Sequence, residues 1–453
     1  GRTSHAGKRE QRRDGSGRIE TPLEDQRNCQ IQAEIKIVVE DRAHCQERKK
    51  RSENQEQDLM ARTGPAHQFA VVSRLAARAL MRRVSGKIPA AGDFESFSRA
   101  LEGGLSSLSG NAIRAHRFVR IPANRPPWHD SGIDLTVGET VTVIADGRVN
   151  LSRLLDIWVA PPFQLWLRIS EQGPIFRGTR RTHTFTARES GRLWLASYFP
   201  GEWADESGRL VTDPSDYEKV SGELTVLILR WRDDADMNAR LVELGNCPDC
   251  PRWIAEEAAR NTNAVTQPDG WHYLWYLGPG EIYWPGITDD GRASICCHTH
   301  QDVGILRRDA NLPLAAGTSL AWSWKVDELP IDIAEDTLPS HDYVSIAVEF
   351  DDGQDITYYW SAALPLETVY RCPLPTWKDK ETHVVVRSGT RDLGHWVNEE
   401  RDLFSDYNQY IGGPARRIVR VWLIANSLFQ RRHGRCEYAG IVLRGSGQEL
   451  RVT

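Results

Sequence analysis

The sequence predicts an all-β protein: two tandem jelly-roll or β-sandwich domains preceded by a short N-terminal helical segment. Three observations carry that expectation. The first is that residues 318–361 hold three strand-like runs. In the first run, Leu320, Trp322, Trp324 and Val326 stand two apart and so share one face of a strand. Residues 343–350 alternate in the same way. Residues 356–360 return as a hairpin partner after Asp351-Asp352-Gly353-Gln354, where Gly accepts positive φ and Asp bonds locally. The second observation is that similar short runs recur between Gly, Pro and acidic turns across residues 112–231. The third is tryptophan. There are 16, against 12 Tyr and 11 Phe, and none precedes Trp128, so composition itself separates a polar leader from Trp-rich folded material.

Bulk properties narrow the class. A length of 453 residues corresponds to about three domains. The net charge of −5 argues against a nucleic-acid partner. No apolar run approaches the about 20 residues of a membrane span. The eight Cys are scattered and do not form the framework of a small disulfide-stapled domain. No signal-peptide hydrophobic region is present, so the cytoplasm is the expected location and the periplasm the alternative.

Taken in order, residues 1–59 read as a disordered leader, with charge-rich runs such as Gly7-Lys8-Arg9-Glu10-Gln11-Arg12-Arg13. The first Met is Met60. Gln55-Glu56 can be encoded with a ribosome-binding AGGAG just upstream of it, so Met60 is the expected start and residues 1–59 translated upstream sequence; a genuine disordered tail is the alternative. Residues 60–111 predict two helices. In the first, Arg74, Arg78 and Arg82 form one basic stripe opposed by Phe69, Val72, Ala76, Leu80 and Val84. A solvated helix docked by its apolar side accounts for that pattern. Contact with an anionic membrane surface through the three arginines is the functional alternative. Asp93 is the expected N-cap of the second helix, closed by Gly103-Gly104.

Residues 112–231 predict a sandwich with strands over 113–121, 140–145, 164–169, 182–187, 192–198 and 223–231. Val137-Gly138-Glu139-Thr140-Val141-Thr142-Val143-Ile144-Ala145-Asp146-Gly147 resembles the early strand of the PA-I type galactophilic bacterial lectins. Leu165-Trp166-Leu167-Arg168-Ile169 and Gly191-Arg192-Leu193-Trp194-Leu195, followed by Tyr198 and Pro200-Gly201, are similar to later strands of that family. The resemblance implies a galactose-binding-like sandwich with calcium and sugar held in the loop after residue 198. It carries the oxygen ligands onto Glu202, Asp205 and Glu206. This chain departs from the family at Tyr198, where an acid is expected, and at Leu151, where an aromatic is expected. A sandwich kept for packing, with the three acids solvated, is the plainer reading.

Residues 232–268 read as a linker with a short helix near 251–260. Cys247 and Cys250 form a CxxC pair that could bind zinc with Cys296, Cys297, His298 and His300, but the pairs stand far outside zinc-ribbon spacing, so local packing is expected.

Residues 269–446 form the second expected sandwich, with a tail at 447–453. Leu320-Ala321-Trp322-Ser323-Trp324-Lys325-Val326-Asp327, His341-Asp342-Tyr343, Tyr358-Tyr359-Trp360, His383-Val384-Val385-Val386-Arg387-Ser388-Gly389, Gly394-His395-Trp396 and Trp422-Leu423-Ile424-Ala425-Asn426-Ser427 together resemble a bacterial domain-of-unknown-function family, DUF3047. That family implies no established activity, and many members look exported. Where it has an acid before Ser427, this chain has Asn426.

No P-loop, nucleophile elbow, HExxH or dinucleotide fingerprint stands in a suitable context. Lys325, Asp327, His341, Asp342, Arg387, Trp396, Glu400 and Asp402 collect at strand ends and are the candidate ligand-binding set of the last domain. Carboxylates beside a Trp face suit carbohydrate, because the ring covers apolar C–H surface and the acids accept hydroxyl protons. Structural ion pairs are the alternative. The expected function is a non-enzymatic carbohydrate or cell-envelope binding protein. The alternatives are a glycan hydrolase using carboxylates of the last domain and a protein-interaction module without a small-molecule ligand.

Overall fold

The computed structural model describes residues 64–86, 93–199 and 201–453, and residues 65–453 form one compact unit. The expected leader 1–59 and start at Met60 lie outside the described residues. Of the described residues, 42% lie in strands and 19% in helices, arranged as antiparallel, sandwich-like sheets behind a short helical segment.

The first layers hold β1 (Ile113–Pro122), β2 (Trp128–Leu135), β3 (Thr140–Ser152), β4 (Ile157–Val159), β5 (Leu165–Ile169), β6 (Thr182–Thr186), β7 (Gly191–Ser197) and β8 (Ser221–Trp231). One sheet runs β1-β8-β3-β4 with β6 on β3, and it faces a three-stranded sheet β2-β7-β5. Alternation places Leu224, Val226 and Ile228 of β8 in the core between these sheets, with Val141 and Val143 of β3 and Leu193 and Leu195 of β7. The opposite face of β8 is also dry. Leu227, Leu229 and Trp231 meet Phe97 and Leu101 of α2 (Phe94–Ser107) and Leu241 and Leu244 of α3 (Met237–Gly245).

Asp93 caps α2 by accepting from the Ser96 amide at 2.8 Å, as expected. The expected stop at Gly103-Gly104 is corrected: the helix runs to Ser107. Gly104 is needed for approach, since a Cβ there would stand 2.5 Å from the Cys250 sulfur.

The faces of α1 (Pro65–Val84) are also corrected. Val71, Leu75 and Ala79 are buried, while Phe69, Leu80 and Val84 are exposed. Arg78 donates to Asp332 at 2.6 Å and Arg82 to Asp156 at 3.1 Å. Two arginines of the stripe therefore pair with acids of the protein body, while Arg74 is exposed. No described helix is long and apolar enough to cross a membrane.

The remaining strands are β9 (His272–Tyr273), β10 (Tyr283–Ile287), β11 (Ala293–His300), β12 (Val303–Pro313), β13 (Ser319–Glu328), β14 (Tyr343–Phe350), β15 (Asp355–Ser361), β16 (Val369–Arg371), β17 (Glu381–Ser388), β18 (Trp396–Asp402), β19 (Arg417–Asn426), β20 (His433–Gly445) and β21 (Gln448–Arg451). A six-stranded sheet runs β10-β11-β20-β13-β18 with β21 on β20. It packs on a seven-stranded sheet ordered β16-β17-β15-β14-β19-β12-β9. The three strand runs read at 318–361 divide between the sheets: β13 lies in one, and the hairpin β14–β15 in the other. Trp322 stacks on Tyr358 across the core with centroids 5.7 Å apart, and Trp324 meets Trp360 at 5.6 Å.

One pairing departs from antiparallel order. β15 and β17 are parallel, with Asp355 beside Glu381 and Thr357 beside His383. Parallel neighbours require a long return connection. Residues 362–380 supply it: they add β16 to the edge of the sheet beside β17, and the loop that follows brings Trp377 against Trp422 on the outer face.

Candidate functional site

The outer face of the seven-stranded sheet is where polar side chains accumulate. In β14, β15 and β17 one set of alternating residues enters the core: Val344, Ile346, Val348, Ile356, Tyr358, Trp360, Val384 and Val386. The other set is Tyr343, Ser345, Glu349, Asp355, Thr357, Tyr359, Glu381 and His383. All of these except Glu349 are buried, because the crossover covers them. Tyr370 of β16 stacks on His383 with centroids 5.0 Å apart and planes 9° from parallel.

Four donors meet under that cover: His341, Cys372, Glu381 and His383. All are buried, and their ligand atoms lie within 4.8 Å of one another. The Cys372 sulfur is 3.4 Å from His341 Nε2. The other ring nitrogen of His341, Nδ1, is 2.9 Å from the Glu335 carbonyl. It must donate there, which leaves the Nε2 lone pair facing Cys372. Glu381 Oε1 accepts from Thr357 Oγ1 at 2.9 Å and from Tyr343 Oη at 3.2 Å. His383 Nε2 is 3.4 Å from the same oxygen. Neither His383 ring nitrogen makes a hydrogen bond.

Electrostatics separates these groups. Burial pushes His341 down to about 3, so its ring is neutral. Burial alone would raise Glu381, but the imidazole of His383 outweighs it and the carboxyl is held low. Asp355 goes the other way, raised well above the usual range by burial and by the neighbouring Glu381 charge.

Glu381 also faces a cavity of about 180 Å³ that separates the two sandwiches. Phe163 and Glu202 line it from the first sandwich; Val303, Tyr343, Trp377, Glu381, Asn426 and Phe429 line it from the second. Glu202 accepts from Thr212 Oγ1 at 2.5 Å and Tyr217 Oη at 3.3 Å, and burial raises its pKa. The Gly201 amide ties the same loop to the second sandwich by donating to the Tyr276 carbonyl at 2.8 Å. Trp377 stands edge-on to Trp422, with centroids 6.0 Å apart.

The residues singled out from sequence fall at separate places. Lys325 and Trp396 are cross-strand partners on the outer face of the six-stranded sheet. There the Trp396 ring carries Lys325 at 5.8 Å and Arg292 at 5.7 Å. Glu400 lies on the same strand, accepting from Ser319 Oγ at 3.3 Å, and Asp327 is exposed at the end of β13. Arg387 pairs with Glu399. Asp402 caps α4 (Leu403–Tyr410) by accepting from the Ser405 amide at 2.9 Å.

His341 and Asp342 lie just before β14 of the other sheet and are fully buried. Asp342 accepts from the amides of Phe429 at 2.9 Å and Gln430 at 2.6 Å. It thereby holds the turn that closes the cavity.

Of the lectin-like loop, Glu202 enters the cavity, Asp205 is tied to Ser207 and Arg209, and Glu206 is exposed. Among the described residues these three do not gather within 4.8 Å as ligands. Tyr198 is buried, and its hydroxyl donates to the Glu202 carbonyl at 2.9 Å. Cys247 and Cys250 pack with the helices on β8, whereas Cys297 lies in the second core. The CxxC pair and the Cys296–His300 strand are therefore not brought together. Sequence reasoning missed Cys372, Glu381 and His383. The signal available was Glu381-x-His383, two donors on one face of a strand.

The solved structures that resemble this chain do so faintly. The N-terminal domain of EclA, a PllA-like lectin, is 18% identical, covering 26% of this chain and 98% of that one at a TM-score of 0.19. The xyloglucanase domain of NopAA, a type three effector from Sinorhizobium fredii solved with cellobiose, is 13% identical, with 40% and 95% covered and a TM-score of 0.25. A carbohydrate-binding module of the β-sandwich superfamily is 9% identical, with 74% and 99% covered and a TM-score of 0.20. At such values the likeness carries no argument about ligand or reaction. No curated protein matches the chain. Residues 280–442, which include all four donors of the cluster and the cavity-wall residues named above from the second sandwich, match the family described as protein of unknown function DUF3047.

Proposed function

We propose that the cavity between the sandwiches binds a small carbohydrate, or one residue of a larger glycan. One observation carries the reading: two carboxylates from different sandwiches, Glu202 and Glu381, line a single cavity with the indole of Trp377. Apolar walls with a few convergent polar groups are the ordinary build of a small-ligand site. Aromatic faces cover the C–H surface of a sugar, and carboxylates accept its hydroxyl protons. Calcium joins this reading only through the loop that carries Glu202.

Hydrolysis is the second reading, favoured by the opposed shifts of the same pair. Glu202 is raised by burial and Glu381 is held low, the pattern of a general acid facing a base.

The test is a glycan array with the full chain, followed by calorimetry on any hit, with calcium and with EGTA. The expected result is saturable binding that falls at least tenfold in both Glu202→Gln and Trp377→Ala, with the thermal midpoint of each variant unchanged. Binding insensitive to both substitutions, or no binding to any glycan, overturns the proposal. Release of reducing ends by the wild-type chain, abolished in Glu202→Gln, would select hydrolysis over binding.

A further inference from the structure

The geometry points to a second site beneath the cavity: a closed four-ligand centre for a zinc-class divalent cation, made of His341 Nε2, the Cys372 thiolate, a Glu381 oxygen and a His383 ring nitrogen. It goes beyond the carbohydrate reading and shares only Glu381 with it.

Donor spacing is the first support. Zinc bonds of about 2.0–2.3 Å in a tetrahedron place ligand atoms about 3.3–3.8 Å apart. Cys372 Sγ to His341 Nε2 is 3.4 Å, Glu381 Oε1 to His383 Nε2 is 3.4 Å, and all the donor atoms lie within 4.8 Å.

The second support is independent of spacing. His383 is completely buried, and neither of its ring nitrogens has a hydrogen-bond partner. A buried polar atom without a partner is costly; here one stands beside three other donors, where a cation would satisfy it.

Outer contacts are the third. Ligating imidazoles ordinarily donate their second nitrogen to a carbonyl or carboxylate, and ligating carboxylates are hydrogen-bonded in turn. His341 Nδ1 meets the Glu335 carbonyl at 2.9 Å, and Glu381 receives Thr357 and Tyr343.

Charge and proton balance agree with the chemistry. A divalent cation with one thiolate, one carboxylate and two neutral imidazoles sums to zero, which suits a buried site. On binding, the S–H bond of Cys372 breaks, the S–metal bond forms, and one proton leaves to solvent. Mixed sulfur, nitrogen and oxygen donors select zinc or cobalt over calcium or magnesium. With four protein ligands no position is left open, so the role is structural. The ion would pin the entry to β14, the crossover loop and the start of β17 in their parallel arrangement.

The experiment is cobalt loading of the metal-stripped full chain. The expected result is about one equivalent bound at this centre, with a thiolate-to-cobalt charge-transfer band in the near ultraviolet, intense tetrahedral bands in the visible, and displacement of both by zinc. Zinc should also raise the thermal midpoint of the stripped protein, since only the folded state gathers the ligands.

Cys372→Ser should lose the charge-transfer band. A Cys247→Ser, Cys250→Ser double variant should keep it, and that variant serves even if Cys372→Ser does not fold. No cobalt spectrum in the wild-type chain, or a band that survives Cys372→Ser, or one that disappears in the CxxC double variant, overturns the inference. Each readout is spectroscopic and needs no sugar, so its failure is separate from failure of the cavity to bind carbohydrate.

Discussion

Buried carboxylates only 46 residues apart in the chain behave in opposite ways, and the difference lies in what each one touches. Glu381 sits beside His383 and is held low. Glu335 is buried without an imidazole partner of that kind and accepts from Ser361 Oγ at 2.6 Å and the Ala362 amide at 2.6 Å. Those two bonds favour its charge, but burial outweighs them and raises it from 4.5 to about 8. A folded-state value above the unfolded one contributes stability that is fully present below pH 4.5 and is lost as pH rises through about 8. The wild-type chain should therefore lose stability across that window relative to Glu335→Gln, in which position 335 does not titrate. Urea denaturation of both proteins at several pH values measures the difference. Parallel curves would mean that Glu335 is already charged in the fold.

At the scale of elements, two adjacent glycines of α2 separate propensity from packing. A Cβ at Gly103 would meet nothing within 4 Å, whereas one at Gly104 would stand 2.5 Å from the Cys250 sulfur and 2.7 Å from Leu244 Cδ1. Gly103→Ala should gain up to about 1 kcal/mol from helix propensity. Gly104→Ala should lose about 1–2 kcal/mol, because overpacking costs more than propensity returns. Chemical denaturation of the two variants against wild type decides it, and equal effects would remove the packing role.

The same scale explains what was legible in the sequence. β13, β14 and β15 could be read because each alternates an apolar core set against a second set. β2 could not: Trp128-His129-Asp130-Ser131-Gly132-Ile133-Asp134-Leu135 is mostly polar, and its pairing with β7 breaks between Asp130 and Asp134. In α1 the apolar residues on the two sides of the helix are similar in kind, so periodicity alone did not show which side faces the body. The donor cluster was hidden for another reason. His341 precedes β14, Cys372 follows β16, and Glu381 and His383 open β17. The antiparallel β16–β17 pairing sets Cys372 beside Glu381, and the parallel β15–β17 pairing brings both toward β14 and His341; parallel order leaves no mark in the spacing of the ligands.

At the scale of the whole molecule, the two sandwiches share one interior boundary. Leu428, from the second half of the chain, lies in the core of the first sandwich. Arg177 is buried and donates to the carbonyls of Leu277 and Pro162, joining both sides. Arg431 reaches back to Asp156, with Nη2 2.9 Å from Oδ2 and Nη1 2.8 Å from the carbonyl, and its guanidinium lies 4.5 Å over the Trp158 ring. Both partners are largely shielded, with side-chain exposures of 11% and 8%. Breaking such a pair leaves a buried charge and costs about 3–5 kcal/mol. Arg82 remains 3.1 Å from the same oxygen, so the loss in Arg431→Ala should fall at the lower end, about 3 kcal/mol.

Arg180 crosses the same boundary to Glu281 at 3.3 Å and Asp302 at 3.8 Å, and a second cavity lined by Arg180, Arg260, Glu281 and His300 lies along it; polar links and apolar contacts together couple the halves. In calorimetry the wild-type chain should unfold in one transition, and Arg431→Ala should separate it into two, the earlier sensitive to ligands of the cavity. A single unshifted transition in the variant would show that the apolar boundary around Leu428 couples the sandwiches without the arginine. The cavity walls would then be fixed by packing, and a ligand bound between Glu202 and Glu381 would enter a site already formed.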